Sequence, residues 1–181
     1  NELVNFSLYY SSGSNYQSAE QFQVRGARDL MNINGKLVSS TMSSNGRIGY
    51  ADSQGEDGLG FIYKSEPLLV EASLMIGNYA SAVSNTTRSV FGTADEHFVN
   101  KLRAYREVDT KAAFLGHSDF DDSGSPNRLN LQIRHSQTAF ANAPDDKYII
   151  SEYEIRNAGQ RALNNIYAGL FSDWDIDQLG R

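Results

Sequence analysis

The chain has no cysteine, only three prolines and three histidines, and nowhere an apolar run long enough to cross a bilayer. Without cysteine there are no disulfides, no Cys-type zinc sites, no thiol nucleophile and no iron–sulfur ligation. Histidine is too sparse, and too widely spaced at His97, His117 and His135, for a local metal motif; no HExxH stands in the sequence. A membrane-spanning helix needs about 20 apolar residues in a row, and none is present. Asn1 to Ser7 have neither the basic start nor the apolar centre of a signal peptide. Positive charge is in deficit: 16 basic residues against 22 acidic give a net charge of −6, which argues against nucleic acid as a partner. Helical periodicity is also scarce. Its best stretch, residues 95–106, has only a thin apolar stripe through Phe98, Leu102 and Tyr105.

What is present points to strands. Ten tyrosines, nine phenylalanines and fifteen glycines in 181 residues suit pleated, half-buried segments separated by turns. Residues 36–42 read as a strand, Ser43-Ser44-Asn45-Gly46 as a hairpin turn, and residues 47–50 as the return. Residues 61–63 form a short strand after a Gly-rich loop. Residues 67–75 read as a central strand interrupted at Glu71, which is expected at a bulge or on an exposed face. Residues 81–91 read as a strand or a hairpin around Asn85. Residues 119–127 read as a polar loop. Three long strands follow, over 128–140, 147–156 and 162–173. In the second of these, Ile149, Ser151, Tyr153 and Ile155 form the more apolar face and are expected inside. The third is apolar on both faces, so a central, doubly covered position is expected, with Trp174 in the core.

With no strand–helix alternation, the pattern predicts an all-β fold, an antiparallel β-sandwich of about ten strands, for which a supersandwich-like layout is one form. The expected organisation is an extended segment or edge strand over residues 1–35 and a sandwich over residues 36–181. A strongly patterned last strand without a terminal cap is expected of a sandwich truncated at its C-terminal end, and so of a piece of a longer protein.

Residues 145–176 carry a resemblance. They read Asp145-Asp146-Lys147-Tyr148-Ile149-Ile150, then Glu152-Tyr153-Glu154-Ile155-Arg156-Asn157, and end Tyr167-Ala168-Gly169-Leu170-Phe171-Ser172-Asp173-Trp174-Asp175-Ile176. This resembles the β-rich region that follows the catalytic domain in large secreted subtilisin-like proteins of Bacteroidetes type, which often end in a type IX sorting domain. Asn45 to Tyr50, Gly58 to Tyr63 and Leu68 to Gly77 fit the same resemblance. It implies a secreted or cell-surface, non-catalytic accessory region whose partners are the neighbouring domains of the parent polypeptide. Nothing matches the Gly-Thr-Ser nucleophile segment of such proteases, so protease activity is not implied.

Candidate chemistry comes from carboxylates and aromatics. Asp173, Asp175 and Asp177 share one face of an extended strand, where hard oxygen ligands suit Ca²⁺. Gln178 stands where an EF-hand needs glycine, which rejects that motif. Asp119, Asp121 and Asp122 form a second candidate calcium loop, and Asp52, Glu56 and Asp57 a third. Each is also what a solvated acidic turn looks like, so the cofactor expectation is none, or calcium. Glu152 and Glu154, two apart on a strand, lie about 7 Å apart at Cα, within the range glycoside hydrolases use. Exposed tyrosines at 9, 10 and 16 would suit sugar stacking. Three functions therefore follow: a non-catalytic accessory region, a carbohydrate-binding module with a glycan or protein ligand, and a glycoside-active hydrolase domain. Asn5-Phe6-Ser7 and Asn85-Thr86-Thr87 match the glycosylation acceptor pattern without further support.

Overall fold

The computed structural model describes residues 29–50, 57–80, 82–87, 95–108 and 111–174, together with the backbone of residues 8–9. The described residues form two sheets facing one another, an antiparallel β-sandwich as the pattern predicts. In the first sheet the order is β1 (Leu8–Tyr9), β12 (Ile149–Asn157), β11 (Leu131–Ala139), β10 (Phe114–Asp121) and β8 (Val99–Asn100), with β9 (Tyr105–Glu107) also on β10. All pairs are antiparallel except β1 with β12. In the second sheet the order is β13 (Tyr167–Trp174), β6 (Glu66–Tyr79), β4 (Arg47–Gly49), β3 (Val38–Ser43) and β2 (Leu30–Asn34). The strand β5 (Phe61–Tyr63) bridges β3 and β6, and β7 (Ala82–Ser84) pairs with β6.

β1 and β2, both within residues 1–35, are edge strands of opposite sheets among the described residues. The thin helical stripe at 95–106 is not a helix: it holds β8 and the start of β9. The polar loop expected over 119–127 starts too early, since Asp119 to Asp121 complete β10, a central strand that the Gly-Ser-Asp content of 116–121 concealed.

Alternation along each strand fills the space between the sheets. Phe120, Leu131, Ile133 and Tyr153 from the first sheet meet Leu74 and Ile76 from β6, with Phe98 against Phe120. A second cluster joins Phe114 and Ala139 to Ile33 and Met42, and a third joins Ile48, Leu69 and Ala72. The Asn45-Gly46 turn is required here by sterics as well as by φ. Gly46 has φ +84°, and a Cβ on it would overlap the ring of Phe120 from the opposite sheet.

Glu71 resolves its two expectations unequally. It does sit beside a bulge, because Asp173 opposes Glu71 while Trp174 opposes Leu69, leaving Val70 as the extra residue. It is not exposed. On the outward face of the second sheet it forms an ion pair with Arg47, both side chains only 1% accessible. The residues Asn85 to Thr87 lie over that pair as a strap. Thr86 donates through its N–H and its hydroxyl to Ser73 Oγ, and its carbonyl accepts from Arg47 Nη1. Asn85 Oδ1 accepts from the Thr87 N–H and hydroxyl, and the strap is tied to Asp95 and His97. Asn85 is thereby buried and engaged, which removes it as a glycosylation acceptor.

Because a lone charge left in this site has no solvent, Arg47→Met or Glu71→Leu alone is expected to cost about 3–5 kcal/mol, and the double variant less than the sum of the two. Denaturant titration of the four proteins checks this, and additive losses would contradict it.

Candidate functional site

The three aspartates of the second candidate calcium loop are held by different partners, Asp119 and Asp121 on the outward face of β10 and Asp122 inside. Asp119 lies on the outward face of the first sheet and receives Arg134 Nε at 2.9 Å. Asp121 pairs with Lys101 and accepts from the Ser123 N–H. Burial works against its charge, but the Lys101 and Ser123 hydrogen bonds outweigh it and hold the carboxyl below its ordinary range. Asp122 is turned inside, where its two oxygens accept from the backbone N–H groups of Leu129 and Leu131 and fix the entry into β11. Each is thus occupied with a separate structural partner. Among the described residues no three acidic or imidazole side chains converge as a metal site. Asp173 stands on the outward face of β13 opposite Glu71. Asp175 and Asp177 lie outside the described residues, as do Asp52, Glu56, Tyr10, Tyr16 and the side chain of Tyr9; Asp57 is exposed.

The sheets bring together groups that the sequence left scattered. Register pairs His117 with Tyr105 on one side and Ser136 on the other. His117 Nδ1 is 2.8 Å from Ser136 Oγ, its Nε2 is 3.0 Å from Glu107 Oε2, and its ring lies against Tyr105. One row along, Asp119, Arg134 and Glu154 stand side by side across β10, β11 and β12. Burial, and then repulsion from Glu154, push Asp119 up to about 6. Glu152 and Glu154 point outward with Ile150 and Arg156, as alternation predicts, and both are exposed on an open strand face. The clue missed in the sequence is β10: once it is a strand, His117 and Asp119 share a face by period-two alternation.

Between the sheets a polar row crosses the core. Ser118, His135 and Tyr153 are directly opposed across β10, β11 and β12, and all three are buried. The His135 and Tyr153 rings stack at 4.4 Å, and burial raises the Tyr153 phenol. In the next row Gln137 donates to Ser151 Oγ at 3.0 Å. Burial, with a contribution from nearby His117, pushes His135 down to about 3, so this imidazole is neutral in the folded chain. His97 caps the strap, leaving the three histidines on three separate duties.

The expectations for β13 and Trp174 are overturned. β13 is an edge strand, paired with β6 on one side and with no described strand on the other. Only Leu170 reaches the core clusters. Trp174 is 45% accessible and packs edge-on against Phe61 at 6.1 Å. Aromatic content made this strand look interior, but the bulge at Trp174 and the edge position leave its rings outside. Tyr167, Gly169, Phe171 and Asp173 share the outward face. Tyr167 is 69% accessible, Phe171 is 38% accessible, and a Cβ on Gly169 would meet nothing within 4 Å. Tyr79, near Tyr167 on β6, is also exposed.

Comparison with protein-family models, with curated proteins and with solved structures finds no match.

Two titrations of opposite sign follow. The folded-state pKa of His135 lies below its ordinary 6.5, so the unfolded chain takes the proton first, and this group's contribution is intact above about 6.5 and lost as pH falls towards about 3. Asp119 is raised from 3.8 to about 6, so the folded chain holds that proton more tightly and acidification across that window favours folding. His135→Phe is expected to make the acid-side loss of stability shallower, by at most about 1.4 kcal/mol per pH unit. Asp119→Asn is expected to make it steeper. Denaturant midpoints across a pH series read both slopes, and slopes unchanged in both variants would contradict the assignment.

Proposed function

We propose that this chain is a non-catalytic accessory region of a larger secreted, subtilisin-like protein, and that it works by contact with neighbouring domains of that polypeptide. The observation that supports this reading is where the residues of the resemblance lie. In Tyr167-Ala168-Gly169-Leu170-Phe171-Ser172-Asp173-Trp174, the alternate members Tyr167, Gly169, Phe171 and Asp173 face outward on an edge strand. Had the pattern served folding alone, its aromatic members would face the core; instead Tyr167 and Phe171 present apolar surface to solvent, which is characteristic of an interaction site. Pairing with β6 along its length fixes the strand that carries them.

Amide hydrogen exchange tests this. The β13 amides that point away from β6 are expected to exchange readily in the isolated chain at concentrations where it is monomeric, and to gain protection in the longer natural polypeptide, while β10 and β11 change little. Equal exchange of β13 in both would contradict the reading.

A second reading, a carbohydrate-binding module, is favoured by the exposed rings of Tyr167 and Phe171 on the outward face of β13, which suit stacking on a sugar ring. A glycan array checks it: binding that Tyr167→Ala abolishes supports the module, and no binding to any sugar removes it.

A further inference from the structure

We propose that the edge of β13 pairs with the same edge of a second copy of this chain, antiparallel, about a two-fold axis at Gly169. This rests on the accessory reading and names the partner at that surface.

An open edge carries unpaired N–H and C=O groups along its length, and natural sheets protect such edges with lysine, proline or early bulges. β13 has eight residues and none of Lys, Arg or Pro; its one bulge comes at its very end, between Asp173 and Trp174. Among the described residues nothing pairs with this edge of β13, and the side chains indicate which strand would suit it. With Gly169 opposite its own copy, Tyr167 falls opposite Phe171 of the other chain, twice, on the outward face. Ala168 falls opposite Leu170 on the inward face. Asp173, the only charge in the strand, falls past the end of the shared ladder, where the chain bends at Asn165, so no like charges meet. The two cross-strand aromatic pairs flank the bare glycines at the axis, where each chain has open space. A C₂ interface needs this self-complementarity, and a register shifted by two residues in either direction breaks the Tyr–Phe match.

Sedimentation equilibrium of the 181-residue chain tests it. The wild type is expected to show a reversible, concentration-dependent species of twice 20.1 kDa. The double variant Tyr167→Lys/Phe171→Lys sets lysine against lysine and is expected to remain monomeric. The double variant Tyr167→Lys/Phe171→Glu sets opposite charges across the axis and is expected to recover the dimer at low salt and lose it at high salt. Both positions are exposed, so an unchanged melting temperature shows that each variant is folded. A wild type that stays monomeric at the highest soluble concentration overturns the proposal, as does a dimer indifferent to both variants. A monomer whose β13 amides are still protected in the longer polypeptide overturns self-pairing alone and leaves the accessory reading standing. A monomer without that protection overturns both.

Discussion

Two opposite charges buried on the outer side of a sheet set the terms for the second layer of this molecule. Arg47 and Glu71 sit where sheet faces ordinarily meet water, yet neither is accessible. Removing them from solvent costs several kcal/mol per ion, offset only where geometry and further hydrogen bonds are supplied. The strap of Asn85 to Thr87 supplies them through the Thr86 carbonyl, and Ser73 holds the strap down. The bulge at Val70 turns Glu71 towards Arg47 and turns Leu69 inward beside Ala72. The same irregularity ends the regular pairing of β13 and leaves Trp174 at the rim. The ion pair and the exposed position of Trp174 thus meet at one insertion in β6.

The inner space shows a complementary arrangement. Apolar clusters at either end of the sandwich are separated by Ser118, His135 and Tyr153, with Gln137 and Ser151 beside them. A core of this kind depends on pH through a buried imidazole and on the outward carboxyl of Asp119 through an opposing shift. Neither group belongs to a loop; both are fixed by the ladder between β10 and β11.

Much of the fold was legible because alternation is a strong signal. The Asn45-Gly46 turn, the long β6, and the inward face of β12 follow from period-two patterning and from the positive φ that glycine tolerates. What the pattern concealed was β10, whose Gly116, His117, Ser118 and Asp119 have the composition of a loop; they form a strand because β11 offers a matching ladder and Phe114 and Phe120 anchor both ends. It also misplaced β13. Apolar residues on both faces indicate burial on both faces only when the covering surface lies within the same chain, and in β13 the inward face alone meets the described core. The His117–Ser136–Glu107 contacts were illegible for a different reason: they depend on cross-strand register, which no local spacing encodes. The aspartates 119, 121 and 122 were visible as a cluster, but Arg134 and Lys101 hold the first two separately on the outward face and Asp122 turns inside to the backbone of Leu129 and Leu131.

The edge position of β13 is the feature on which the functional account stands, and the single tryptophan of the chain, exposed at the end of that strand, reports on it. Acrylamide quenching of Trp174 emission in dilute, folded protein measures its exposure directly. Red-shifted emission with efficient quenching, changing little on unfolding, is the result the account predicts. Blue-shifted emission protected from quencher until the chain unfolds would place β13 in the interior and contradict it.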